Sequence, residues 1–292
     1  MELMIRNSKA YGIFTQKSRV MITFPTCKIN IGLNITSRRY DGYHDIETIF
    51  YPVRLCDALE FAVSDRQEGS DELIVTGIDI GNEPMDNLVV RAARKLREMY
   101  GIPVLKMHLH KVIPPGAGLG GGSADAAYLA RAVNRHFDLN IPVEEVKDLV
   151  RELGSDCPFF IENTPSFATG RGEILTPVNQ VIKDHYLVLL NPGVGISTRE
   201  AYRSCTPSVP DVRLPELISN PISDWKNLII NDFEAFAVDR HPLIGKLKDE
   251  LYSQGALFSL MSGSGSSVFG IFGQKPCLND LLQQYTIWEG MM

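Results

Sequence analysis

The stretch PPGAGLGGGSADAA, residues 114–127, places glycine at 116, 118, 120, 121 and 122 and closes the run with Ser123. Glycine loses more conformational freedom on ordering than any other residue, so a run of it ordinarily reads as a linker. Here the run stands between VLKMHLHKV, which alternates like a strand, and SADAAYLARAVNRHF, whose apolar residues recur at helical spacing. Glycines fixed at such a junction let several backbone N–H groups converge on one anion, because no Cβ blocks the approach. The following helix adds its unpaired first amides and the positive end of its dipole. Ser123 is the expected N-cap, with a hydroxyl to offer to a phosphate oxygen or a bound Mg2+. Gly116-x-Gly118-x-x-Gly121 formally fits a dinucleotide fingerprint. That motif needs a following parallel strand that ends in an acidic residue, and this chain continues into a second helix, VEEVKDLVRELG. A Walker A loop fits from Gly116 to Gly121 but has Gly122 where lysine is required. A loop that cradles polyphosphate with amides alone is the reading the residues favour; a plain tight turn needs only one or two glycines.

The rest of the composition bounds the partners. A 292-residue chain with net charge -6 lacks the basic face that duplex nucleic acid needs. No apolar run approaches the roughly 18 residues of a membrane span. Five cysteines, Cys27, Cys56, Cys157, Cys205 and Cys277, stand singly, which argues against a disulfide framework or structural zinc and for reduced thiols in cytoplasm. His110, His136, His185 and His241 form no spaced pair. The first twenty residues lack the core of a secretory signal. Met21 opens MITFPTCKINIGLNI, a strand, so Met21 is expected as the natural start and residues 1–20 as an extension; the alternative is a packed N-terminal arm.

Strand-like text fills 21 to about 63, with the turn SRRYDGYHD inside it. DELIVTGIDI reads as a strand pair. DNLVVRAARKLREMYG reads as a helix capped by Asp86 and ended by Gly101, with Val89, Ala92, Ala93, Leu96 and Tyr100 on its apolar face. HYLVLLNPG is a buried strand, helices are expected near 226–238 and 242–253, and LFSLMSGSGSSVFGIF reads as strand, loop and strand. Strands first and then helices mixed with antiparallel strands favour α+β over a doubly wound sheet. A boundary is expected near 170, at the turn-rich TGRGE, dividing an N-terminal domain at 21–170 from a C-terminal domain at 171–292.

PPGAGLGGGSADAA resembles the phosphate loop of the GHMP kinases, the superfamily of galactokinase, homoserine kinase and mevalonate kinase. PTCKINIGLNI and LMSGSGSSVFGIF resemble its other motifs. RRYDGYHDIETIF, DNLVVRAARKL, LGSDCPFF and GRGEILTPV are most similar to the branch that acts on a cytidine-diphosphate-linked methylerythritol in the non-mevalonate route to isoprenoid precursors. The likeness runs from Met21 onward, is densest before 195, and is faint over 203–255. It implies a two-domain α+β fold with the active site in the inter-domain cleft, and transfer of the ATP γ-phosphoryl group to a 2-hydroxyl with Mg2+.

The resemblance also implies roles. Asp156, in LGSDCPFF, matches the catalytic aspartate, a carboxylate able to accept the hydroxyl proton; without the motif it reads more readily as a helix cap or a turn aspartate. Lys28 matches the catalytic lysine, able to pair with Asp156 and to steady charge on the transferring group. Asn30, two residues on, shares its strand face and can bond the substrate. Tyr43 and His44 match a cytosine-binding pair, and Tyr202 falls where a second aromatic would complete a sandwich around the base; core packing is the commoner fate of a tyrosine. Asn87 and Leu88 fall where the superfamily contacts adenine, and Lys111 matches a lysine near that pocket. Pro115, Gly116, Gly118, Gly120, Gly121, Gly122 and Ser123 form the nucleotide loop, and SGSGSS is expected to pack beside the phosphates. Asp125 stands where close relatives often carry asparagine; there it would weaken ATP or help hold Mg2+, whose ligands the sequence leaves unnamed. Alternatives are another small-molecule kinase of the superfamily, a non-catalytic nucleotide sensor and, more distantly, a nicotinamide dehydrogenase. The partner expected is a small molecule, with no nucleic acid or membrane, for a monomer or homodimer.

Overall fold

The computed structural model describes residues 20–65, 69–81 and 86–292; the expectation of a start at Met21 turns on residues outside these. In chain order the elements are β1 (Met21–Thr23), β2 (Thr26–Arg38), β3 (His44–Cys56), β4 (Ala58–Val63), β5 (Glu72–Gly77), α1 (Leu88–Tyr100), β6 (Leu105–Lys111), α2 (Gly121–His136), α3 (Val143–Arg151) and α4 (Phe159–Glu162). There follow β7 (Ser166–Thr169), β8 (Ile174–Pro177), β9 (Tyr186–Leu190), α5 (Thr198–Ser204), α6 (Leu214–Leu217), a 3-10 segment (Ile222–Asn227), α7 (Glu234–Arg240), α8 (Pro242–Ser253), β10 (Phe258–Met261), β11 (Val268–Phe272), α9 (Asp280–Tyr285) and β12 (Thr286–Met291). The class is α+β. None of the described helices is long and apolar enough to cross a membrane.

The chain divides into two compact units that interleave in sequence. Of the described residues, the first holds 20–25, Cys56–Val112 and Gly122–Ile161, and the second Thr26–Leu55, Ile113–Gly121 and Glu162–Met292. The division expected near 170 cuts the chain only once, so it describes a different partition.

In the first unit one sheet has the order β1-β4-β6-β5. β4 runs antiparallel to β1 and β6, and β5 runs parallel to β6. The alternation read in VLKMHLHKV is the burial pattern of β6: Leu105, Met107, Leu109 and Lys111 are buried and the residues between them are not. α1 buries Val89, Ala92, Ala93 and Leu96 and ends at Gly101 in the left-handed conformation. Its cap is Asn87, whose side chain accepts the Val89 amide, and not Asp86. DELIVTGIDI makes one strand, not two: Gly77 turns the chain at φ 82°, and the Asp79 side chain then accepts the Gly81 amide in a turn.

The second unit holds two sheets, β2-β3-β7-β8 and β10-β11-β9-β12. Cys27, Ile29 and Ile31 of β2 pack in one cluster with Ile49 and Val53 of β3, Leu187 and Leu189 of β9, Leu260, Phe269 and Trp225. Each of these is buried, and truncating Ile29 to alanine costs about 2–5 kcal/mol. With the odd positions of β2 in that core, period 2 turns Lys28 and Asn30 to the other face. The helix expected at 226–238 is instead a 3-10 segment and, later, α7. Between them Asn231 bridges in parallel to Leu33 and donates to the Met261 and Gly263 carbonyls, holding the segment extended.

Candidate active site

The second unit contributes a buried polar cluster. Lys28, on the face of β2 opposite that core, is still buried, at 3% exposed. Its Nζ donates to Asn30 Oδ1 and, at 3.0 Å, to the Gly118 carbonyl of the glycine loop. Asn30 Nδ2 donates to Thr48 Oγ1 of β3 at 2.8 Å, and the Asn30 amide donates to Ser262 Oγ at 3.1 Å. Ser262 donates in turn to the Gly118 carbonyl at 2.9 Å. The SGSGSS loop thus lies directly against the glycine loop. Gly118 is required there: its φ is 77°, and a Cβ would stand 2.0 Å from the Ser262 carbonyl oxygen. Gly116 and Gly120 also have positive φ, which turns successive amides of the loop. Pro115 and Gly116 are exposed.

The expected base-binding residues are also in the second unit. His44 and Tyr202 stack with ring centroids 4.9 Å apart and planes 18° apart. That is direct ring contact, with no gap for a third ring between them. Tyr202 meets Phe233 edge-on at 4.8 Å. Tyr43 is 56% exposed, and the Arg171 guanidinium lies 4.6 Å over its ring.

In the first unit the helix begins one turn earlier than the cap reading allows. α2 runs from Gly121, so Ser123 is inside its first turn and not the N-cap. Ser123 hydrogen-bonds the Cys157 thiol, and Gly154 packs close to the Ser123 hydroxyl, so the turn bearing half-buried Asp156 lies beside the start of α2. Burial pushes the Cys157 thiol up to about 12, which leaves it an inert packing group. Leu88 Cδ1 is 3.9 Å from where a Cβ of Gly122 would be, and half-buried Asn87 adjoins it. Asn87, Leu88, Gly122 and Ser123 thus lie together at one end of α2.

Lys111 and Asp125 form a buried charged group with Asp57. Lys111 is 4% exposed and its ammonium pairs with Asp57 and, at 2.8 Å, with Asp125 Oδ2. Asp57 also accepts the Val112 amide at 2.6 Å. Asp125 faces inward at 2% exposure and its Oδ1 has no hydrogen-bond partner. Burial, and then Asp57, push the Asp125 carboxyl up to about 7 against the pull of Lys111. Desolvation works against the Lys111 ammonium, but the two carboxylates outweigh it and its pKa is raised. Nothing in the sequence marked Asp57, Thr48 or Ser262 individually. They lie far from their partners along the chain, and only a tertiary contact reveals them.

Among the described residues no group of three or more His, Cys, Asp or Glu is placed to hold a metal ion. None of the cysteines forms a disulfide.

The GHMP kinases N terminal domain matches residues 87–163 and the GHMP kinases C terminal domain residues 215–284. The chain is 49% identical over 275 residues, 93% of its length and 100% of the relative's, to a 4-diphosphocytidyl-2-C-methyl-D-erythritol kinase of Parabacteroides distasonis. A kinase of the same name from Bacteroides fragilis is 48% identical over 87% of this chain and 93% of its own. A crystal structure of 4-(cytidine 5'-diphospho)-2C-methyl-D-erythritol kinase superposes with a TM-score of 0.72 at 31% identity, covering 86% of this chain and 90% of that one. The Methanococcus jannaschii mevalonate kinase shares the fold at a TM-score of 0.61 and 13% identity, over 95% of this chain and all of that one.

Proposed function

The chain belongs to the 4-diphosphocytidyl-2-C-methyl-D-erythritol kinases of the GHMP superfamily, and we propose that it transfers the γ-phosphoryl group of ATP to the 2-hydroxyl of that diphosphocytidyl alcohol. The observation that carries the reading is 49% identity to one such kinase over that protein's whole length. The buried ammonium of Lys28, tied to the backbone of the glycine loop, supports it.

The reaction forms one O–P bond at the acceptor and breaks the bond between the γ-phosphorus and the β–γ bridging oxygen. The hydroxyl proton leaves and ADP departs. In this reading the Asp156 carboxylate accepts the proton, and the hydroxyl is otherwise held for in-line attack. Lys28 opposes the charge that builds on the transferring oxygens, and a fixed ammonium does so with little reorganisation. Asn30 keeps that ammonium in place. The loop amides and the first turn of α2 hold the polyphosphate of ATP, and Asn87 and Leu88 border the adenine. The first turn of α2 suits such an anion, since Gly121 and Gly122 bring no side chain to it. Ser123, in the first turn of α2, is the hydroxyl that would hold a Mg2+. Mg2+ so bound would neutralise charge on the β- and γ-phosphates. Tyr43 and His44 recognise the cytosine, by stacking and by the imidazole edge, while Tyr202 backs the His44 ring and does not form the far side of a sandwich.

The test is ADP release in ATP-Mg2+ with 4-diphosphocytidyl-2-C-methyl-D-erythritol, mevalonate or homoserine as acceptor, and 31P NMR of the product. Turnover on the first alone, with a new phosphomonoester resonance, is expected. Turnover on either other acceptor in preference would replace the assignment.

A further inference from the structure

We propose that Thr48 is a positioning residue for the phosphoryl transfer, fixing the amide of Asn30 so that its oxygen faces the Lys28 ammonium. The proposal rests on the reading that Lys28 serves the transfer. Thr48 lies on β3 and is fully buried. Its hydroxyl has one proton, and the 2.6 Å bond to the Gly32 carbonyl uses it. Gly32 presents that carbonyl from a left-handed turn of the strand, at φ 75°. A side chain there would be strained and would force Leu214 and Ile229 to shift, since a Cβ would come 2.6 Å from Leu214 Cδ2 and 2.9 Å from Ile229 Cγ2. With its proton committed, Thr48 Oγ1 can only accept.

An asparagine side chain is nearly symmetrical in shape, and only its hydrogen bonds tell one end from the other. Here the acceptor at Thr48 selects the amino end: Asn30 Nδ2 donates to Oγ1 at 2.8 Å. Asn30 Oδ1 must then point the opposite way, and Lys28 Nζ donates to it. The flipped amide would set N–H groups against the ammonium and an oxygen against a hydroxyl with no proton left. Both contacts are repulsive, and neither is relieved by water in a site this buried. The ammonium is fixed at a second point by the Gly118 carbonyl. Thr48 thus sets the lysine's position through Asn30 without touching it by any hydrogen bond in this chain of contacts.

The test compares Thr48→Val, which keeps the shape and removes the hydroxyl, with Thr48→Ser, which restores it. Asn30→Ala and the double variant Thr48→Val/Asn30→Ala complete the cycle, and Thr48→Ala takes the place of the valine variant if that does not fold. Each protein is assayed with acceptor and, separately, for ATP hydrolysis without it. Thr48→Val is expected to lower kcat about 10- to 100-fold, the effect of one misdirected buried hydrogen-bonding group, with KM for ATP within about threefold. Thr48→Ser is expected to recover most of kcat, and the double variant to be no slower than Asn30→Ala, since Thr48 acts only through Asn30. Wild-type kcat in both Thr48→Val and Thr48→Ala, no recovery in Thr48→Ser, or losses that simply add in the double variant would overturn the proposal. A wild type that hydrolyses ATP but ignores the acceptor would refute the acceptor assignment alone, and the Thr48 comparison would then be read on hydrolysis.

Discussion

Replacing Asp125 with asparagine should make the protein more stable above neutral pH and leave it nearly unchanged in acid. Asp57, Lys111 and Asp125 place two carboxylates against one ammonium in a site closed to water. The excess negative charge has no partner at Asp125 Oδ1. The carboxyl is therefore raised from 3.8 to about 7, chiefly by burial. In the folded protein Asp125 keeps its proton to about pH 7, whereas the unfolded chain releases it near pH 4. Between those limits the folded state binds more protons, so this site's contribution to stability falls as pH rises and levels off above the folded value. The interval, at 1.36 kcal/mol per pH unit, is worth up to about 4 kcal/mol. Asparagine resembles the protonated acid in shape and cannot ionise. Urea unfolding followed by far-ultraviolet circular dichroism, for both proteins at pH 4.5, 6, 7 and 8, isolates the site, because other titrations cancel in the difference. The stability of Asp125→Asn minus wild type should be near zero at the acid end and rise by about 2–4 kcal/mol by pH 8. A difference that stays flat or falls with pH would show that Asp125 is ionised in the fold and would refute the argument.

Other consequences follow from the same geometry. Gly118→Ala should lower stability by more than Gly116→Ala in paired thermal melts: both pay about 1–3 kcal/mol for a left-handed backbone, but only at 118 does the new Cβ meet a carbonyl oxygen. His44→Ala should raise KM for the cytidine substrate about tenfold or more and leave KM for ATP unchanged in steady-state assays, a split that a purely structural histidine would not produce. Lys28→Met should lower kcat on the order of 100-fold or more while ATP-Mg2+ still raises Tm, separating transition-state stabilisation from nucleotide binding.

The parts of the fold carried by local pattern could be read from the sequence. The glycine loop, the alternation of β6, the apolar stripe of α1 with its Gly101 stop and the buried run of β9 each follow from residues close together in the chain. What escaped was long-range or a matter of one residue. Asp86 and Asn87 are both good caps, and only the backbone shows that Asn87 takes the role. Ser123 has a capping residue's chemistry, but the glycines before it adopt helical geometry themselves. The segment before α7 has helical composition and is held extended by Asn231, whose partners lie 30 and 32 residues away. In the candidate site, Lys28, Asn30 and the loop were legible by motif. Thr48 was not, because a threonine in a strand is ordinary. Lys111 reads as a pocket lysine until Asp57, 54 residues distant, is seen beside it.

The most direct measurement of the central claim is turnover of 4-diphosphocytidyl-2-C-methyl-D-erythritol by wild type beside Asp156→Asn, with the thermal shift by ATP-Mg2+ recorded for both. The account predicts steady ADP release by the wild type, a loss of about 10²- to 10⁴-fold in the variant, and the same nucleotide-induced rise in Tm for the two. Equal turnover by both proteins would contradict the role given to Asp156, and a wild type that binds ATP but leaves this acceptor untouched would contradict the function.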